Sequence, residues 1–150
     1  MVLQVELVSP ERILYSGRAD MVIARTVGGG DIAFLSGHAP FVGALDIATL
    51  TIRTSGEDDK VVAVHGGFVE VSSAAGSSSS PSSSDEDSSA DTTVTILSDV
   101  AEMSDQIDVD RARRAEEQAQ ARLQQDDDGE AQAALRRARV RLTTAGTPVS

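Results

Sequence analysis

The chain has 150 residues, 40% of them apolar but only 3% aromatic, and a net charge of −11 at pH 7. That length suits one domain, or one domain with an appendage, whose core must be filled by Val, Ile, Leu and Ala. The acidic balance argues against general nucleic-acid binding, which needs cations set against phosphates, and the absence of cysteine excludes disulfides and thiolate metal sites.

No apolar run approaches the roughly 18 residues that cross a bilayer. Residues 1–6 show no basic region ahead of a long apolar stretch, so no signal peptide is read. Membrane association is therefore expected only through a partner, without direct insertion. Eight of the chain's arginines fall in residues 101–150, so an anion site, if present, belongs there.

Residues 2–72 carry the alternation and frequent turns of a compact all-β domain. Residues 2–8 read as a strand, closed by Ser9-Pro10. Residues 13–15 and 19–25 follow, with Ser16-Gly17 between them as a bulge or bend. Gly28-Gly29-Gly30 supplies residues that tolerate positive φ. Residues 31–35, 41–45, 50–53, 61–64 and 68–71 then read as short strands, a frequency that favours a sandwich.

Residues 73–92 break this pattern with Ser, Ala, Gly and Asp, Pro81, and an acidic knot at 85–87. They hold too little apolar surface to offset the entropy of ordering, and read as a flexible loop inserted in a hairpin. Residues 94–97 resume strand character. From Asp105 the period becomes helical, with Ser104 or Asp108 as an amino-terminal cap and Asp110 adding favourable charge. Ala112, Ala115, Ala119 and Leu123 form one face. Asp126-Asp127-Asp128-Gly129 stops that helix, and Ala131, Ala134/Leu135, Ala138 and Leu142 form a second face ending near Gly146 and Pro148. The product is an antiparallel helical hairpin. Its faces are mostly single methyl groups, so its docking is weak enough to suit a switch.

Individual candidates for chemistry are sparse. His38 has no nucleophile or acid arranged with it, and reads as a corner histidine bonding backbone or as part of a partner-contacting loop. His65 is the only other histidine, which leaves no metal set. Gly28-Gly29-Gly30 lacks the Lys-Ser/Thr and following helix of a phosphate loop. The acidic run at 126–130 lacks the alternating spacing of a calcium loop. Gly66-Gly67 reads as a bulge or close strand crossing.

Taken in order, several segments resemble the epsilon subunit of bacterial F-type ATP synthases. They are the opening Leu3-Gln4-Val5-Glu6-Leu7-Val8-Ser9-Pro10, the Gly37-His38-Ala39-Pro40 corner, Gly66-Gly67-Phe68-Val69-Glu70-Val71, residues 94–102, and Ile107-Asp108-Val109-Asp110-Arg111-Ala112. The resemblance implies a β-sandwich of about ten strands at residues 1–100, followed by an antiparallel α-helical hairpin at residues 101–150. It implies a non-catalytic subunit that couples proton-driven rotation to ATP synthesis. Its partners would be the gamma subunit and the c-ring, with the alpha/beta catalytic subunits reached by the hairpin. The location implied is the cytoplasmic face of the cell membrane, held there by the complex.

The resemblance also implies roles for particular residues. Asp31 with Ser36, Gly37, His38, Ala39 and Pro40 would form the ring-facing end. Arg136, Arg137, Arg139 and Arg141 would act as an inhibitory arm against acidic groups of the catalytic head. No obligatory cofactor is implied, but regulatory ATP would bind Glu102, Ile107, Asp108, Arg111, Ala112, Arg137 and Arg141. Three departures stand out: Asp46-Ile47-Ala48 replaces a Pro-Gly turn, the serine insertion is atypical, and Gln118 replaces an arginine. A stand-alone ATP-sensing module is the alternative function.

Overall fold

The computed structural model describes residues 2–73 and 92–146; the body of the serine-rich insertion and the Pro148 terminator lie outside the described residues. Eight strands run as β1 (Leu3–Val8), β2 (Ile13–Ala19), β3 (Met21–Thr26), β4 (Gly30–Leu35), β5 (Phe41–Arg53), β6 (Lys60–Ser73), β7 (Thr92–Leu97) and β8 (Ala101–Met103). The helices α1 (Val109–Gln125) and α2 (Gly129–Thr144) follow.

Hydrogen bonding orders the strands β2-β1-β7-β6-β5-β3-β4, with β8 on β6. The path folds over on itself at β5 and β6, which are 13 and 14 residues long. Residues 68–73 of β6 pair with β7, while residues 62–64 pair with β8. In β5, residues 51–53 and Leu45 pair with β3, with a register shift between them, and Phe41 through Leu45 run beside the second half of β6. Each long strand thus serves both layers, and the four segments expected at 41–45, 50–53, 61–64 and 68–71 are two continuous strands. Counted by halves, the eight strands make the sandwich of about ten.

The bend is built by glycine. Gly66 and Gly67 have φ of 82° and 127°. A Cβ at Gly67 would lie 2.1 Å from the Leu97 carbonyl oxygen, so only hydrogen fits where β6 swings past β7. Ser98 Oγ donates to Gly66 O at 2.7 Å and pins the bend. On β5 the crossover falls at Asp46, and the chain passes through without the turn that a Pro-Gly pair would make. No bulge forms at Ser16-Gly17, which pair regularly with Glu6 and Val5; the irregularity is at Leu7/Val8 instead.

The core is the alternate-residue face of each layer. Leu3, Val5 and Leu7 of β1, with Val69, Val71, Val94 and Ile96, pack against Val22, Phe34, Leu50, Ile52, Val62 and Val64. Each such side chain contributes about 1.5–3 kcal/mol on burial. Strand β8 carries the sheet past residue 100 before the helices begin.

Candidate functional site

Alternation along β5 and β6 sends one set of residues into the core and leaves Ile47, Thr49, Ala63 and His65 on the opposite face. Helix α2 packs on this outer face of β5 and β6, and α1 packs on α2. The apolar residues that the helices bury are mostly small: Ala112 and Ala119 on α1, and Ala131 and Ala138 with Leu142 on α2. All five lie outside the sandwich core cluster. Leu142 is the single large apolar side chain that the hairpin buries completely. Both helices are capped by aspartate: Asp108, one of the two candidates read from the sequence, accepts from Arg111 N, and Asp128, in the run read only as a helix stop, accepts from Glu130 N. Ser104 instead opens a short 3-10 turn at Ser104–Gln106.

The four α2 arginines all find partners within the chain. Arg136 pairs with Asp46 at the β5 crossover. Arg141 Nε lies 2.6 Å from Glu102 Oε1 on β8. Arg139 reaches the buried Glu116 of α1 at 3.4 Å, and Arg137 reaches Glu130 of its own helix at 2.7 Å. Two arginines therefore tie the hairpin to the sandwich, and two hold it internally. Thr49 Oγ1 and Thr144 Oγ1, 3.0 Å apart, add a neutral tie.

Between β8 and the start of α1 lies a cleft of about 400 Å³, lined by Val100, Glu102, Gln106, Asp108, Arg111, Ala112, Ala115 and Arg141. Five of the seven residues named for ATP thus converge: Glu102, Asp108, Arg111, Ala112 and Arg141. Two do not line it. Ile107 sits in extended backbone between the 3-10 turn and the α1 cap, and Arg137 is drawn aside to Glu130. Arg111 and Ala115 are joined on that helical face by Gln118, one turn further along.

His65 is the residue that sequence reasoning passed over. Its side chain is 3% exposed, and Nε2 lies 3.3 Å from the same Glu102 Oε1 that Arg141 holds. Burial pushes the imidazole below its ordinary range; Arg141 adds to this, and Glu102 opposes it. Nδ1 is buried without a hydrogen-bond partner. The signal available beforehand was the alternation of β6, which places His65 on the face of Ala63 and away from Val64.

The expected ring-facing end divides. Asp31 lies at the start of β4, by the β3–β4 turn, and pairs with Arg25 at 2.9 Å. Residues 36–40 follow the other end of β4. A six-residue strand, roughly 20 Å long, separates the two groups. The corner itself is built as a backbone-bonding histidine requires. His38 Nδ1 lies 2.7 Å from Ala39 O, the ring stands edge-on to Phe34, and Gly37 N donates to Thr92 Oγ1 at 2.8 Å.

Among the described residues no helix is long and apolar enough to cross a membrane, and no group of three or more His, Cys, Asp or Glu is placed to hold a metal. A family profile described as "ATP synthase, Delta/Epsilon chain, beta-sandwich domain" matches residues 2–75. A second, "ATP synthase, Delta/Epsilon chain, long alpha-helix domain", matches residues 105–146. The ATP synthase epsilon chain of Streptomyces griseus is 41% identical over 93% of this chain and 92% of its own length. That of Brevibacillus brevis is 40% identical over 79% and 76%. The fold matches a chain in the cryo-EM structure of Euglena gracilis mitochondrial ATP synthase with a TM-score of 0.64, covering 97% of this chain and 78% of that one at 19% identity. The sandwich, the docked hairpin and these relatives together establish that this chain belongs to the ATP synthase epsilon-chain family.

Proposed function

We propose that the chain is a non-catalytic central-stalk subunit that helps couple proton-driven rotation to ATP synthesis and restrains ATP hydrolysis when its hairpin leaves the sandwich. The pairing of all four α2 arginines is the observation that carries this reading. In the docked form their charge is spent on the chain's own acids. Lifting the hairpin would release Arg136 and Arg141 from the sandwich for acidic groups of the alpha/beta subunits. Complexes carrying the chain cut before residue 108 are expected to hydrolyse ATP faster than intact ones. Unchanged hydrolysis would discard inhibition and leave coupling untouched.

The sandwich offers two contact regions for its partners. Phe68 and Leu97 are paired across strands, with Val42 nearby, and all three large apolar side chains are exposed. Such a patch favours a protein partner, and we assign it to the gamma subunit. The chain leaves β6 at Ser73 and returns at Thr92 beside the 36–40 corner, so that end must leave room for residues 74–91. The Asp31 end, with exposed Val27 at its turn, is the better candidate for the c-ring. These contacts hold the subunit at the cytoplasmic face of the membrane as a peripheral component.

The cleft of Glu102, Asp108, Arg111, Ala112 and Arg141 favours regulatory ATP as a second element of the same function. A ligand that binds only the docked form shifts the population toward it. A stand-alone ATP sensor is the competing reading, and it shares this cleft. Calorimetry on the isolated chain tests ATP binding, and copurification with the gamma subunit decides between a stalk component and a free module.

A further inference from the structure

We propose that His65 couples hairpin docking to acidity: its imidazole, sealed under α2 beside the Glu102–Arg141 pair, has room for a proton only after the hairpin has lifted away. The inference rests on the reading that the hairpin undocks, and goes beyond it by naming what drives the movement.

The geometry is specific. Glu102 Oε1 accepts from Arg141 Nε at 2.6 Å and lies 3.3 Å from His65 Nε2, so one carboxylate oxygen serves both neighbours. The neutral tautomer with hydrogen on Nε2 satisfies this contact, and leaves Nδ1 as a bare acceptor in a buried position. A second proton would go onto Nδ1, where the structure offers no acceptor, creating a buried unpaired donor and a buried charge together. The charged groups facing the ring are Glu102 from β8 and Arg141 and Arg137 from α2. The opposing β5 residue is Ile47, which contributes none. Glu102 is already engaged by Arg141, so the balance around the ring is hostile to imidazolium.

Undocking reverses every one of these terms. Arg141 and Arg137 depart with α2, water reaches Nδ1, and Glu102 becomes free to pair with the protonated ring. Docked His65 holds its proton less tightly than the ordinary 6.5, because of burial first and Arg141 second. A group whose value is depressed in the docked form supports docking fully above its undocked value. That support fades as pH falls through the docked one. Acid therefore opens the hairpin, and the undocked fraction rises about tenfold for each unit of separation between the two values.

The chain has no cysteine, so Glu11→Cys and Gln124→Cys place two labels on exposed sites of the sandwich and the hairpin without background. Energy transfer between them, in the full-length chain, is expected to fall between about pH 8 and about pH 5.5. His65→Gln, which keeps a donor for Glu102 but cannot titrate, should flatten the response, and His38→Gln should leave it intact. A parallel NMR titration follows both imidazoles in the unlabelled chain. His65 should titrate below the ordinary imidazole value, and should move upward in Arg141→Gln. Unchanged energy transfer across the range overturns the proposal, as does the same response in His65→Gln. A His65 that titrates at or above the ordinary value overturns it too. An Asp46→Asn/Leu142→Ala chain, which removes one ion pair and the one large buried apolar contact of the hairpin, separates the layers of argument. If it stays closed at every pH, both undocking and its proton control fall. If it opens while the parent chain ignores acid, only the proton control falls.

Discussion

Arg136 and Asp46 stand 90 positions apart in sequence and form an ion pair between α2 and the point where β5 crosses from one layer to the other. Asp46 opens the Asp46-Ile47-Ala48 segment, where the sequence resemblance leads to the expectation of a Pro-Gly turn, and in this fold it supplies a tie for the hairpin. The guanidinium is about half exposed, and such a pair contributes roughly 0.5 kcal/mol. Asp46→Asn is expected to raise the undocked fraction about twofold. If the undocked hairpin inhibits, ATP hydrolysis by the assembled complex should drop accordingly, and a rise would contradict the arm's assigned direction.

Leu142 tests what holds the hairpin apart from charge. It is fully buried outside the sandwich core, among alanines that contribute single methyl groups. Leu142→Ala should weaken docking by about 2–4 kcal/mol. Hydrogen exchange should then accelerate in α1 and α2 while the amides of β1, β5 and β7 keep their protection. Equal loss in strands and helices would mean the two parts are one cooperative unit.

Gly67 and Gly28 make an internal comparison. Both have positive φ, but a Cβ at Gly67 meets Leu97 O at 2.1 Å, whereas one at Gly28 meets nothing within 4 Å. Gly67→Ala must separate β6 from β7 and should cost about 3 kcal/mol or more; Gly28→Ala should cost about 1 kcal/mol. Thermal unfolding of the two variants checks the order, and equal melting points would remove the steric account of the bend.

Nucleotide binding can be raised as well as lowered. Gln118 lies one helical turn beyond Ala115, on the face that contributes Arg111 to the cleft. Gln118→Arg is expected to tighten ATP binding about threefold to tenfold by adding a charge-assisted phosphate contact. Arg111→Gln should weaken it by a similar factor. Calorimetry that finds both variants equal to the parent chain would take the triphosphate out of this cleft.

Much of this architecture was legible beforehand. Alternating Leu3, Val5 and Leu7 mark a half-buried strand, and Asp108 marks a helix start, because burial alternation and capping are local rules that a few neighbouring residues decide. The residues Asp108, Arg111 and Ala112 were named by the family resemblance, and they line one cleft because they lie within two turns of one helix. The joining of residues 41–45 with 50–53 was not legible. Asp46 interrupts the apolar alternation there, and continuity is carried by the pairing of Leu45 and Ile47 with Gly67 and His65 of the neighbouring strand.

By itself, the order of residues determined two things here: an all-β half followed by a helical half, and a docking face made mostly of methyl groups. Periodicity and side-chain size are properties of a segment, and need no knowledge of what lies opposite. The tertiary structure decided which acid each arginine holds. It separated Asp31 from the 36–40 corner, and it closed His65 beneath Arg141. Those outcomes depend on distances between residues far apart in the chain, and such distances exist only once the long strands bend and the hairpin lies down across them.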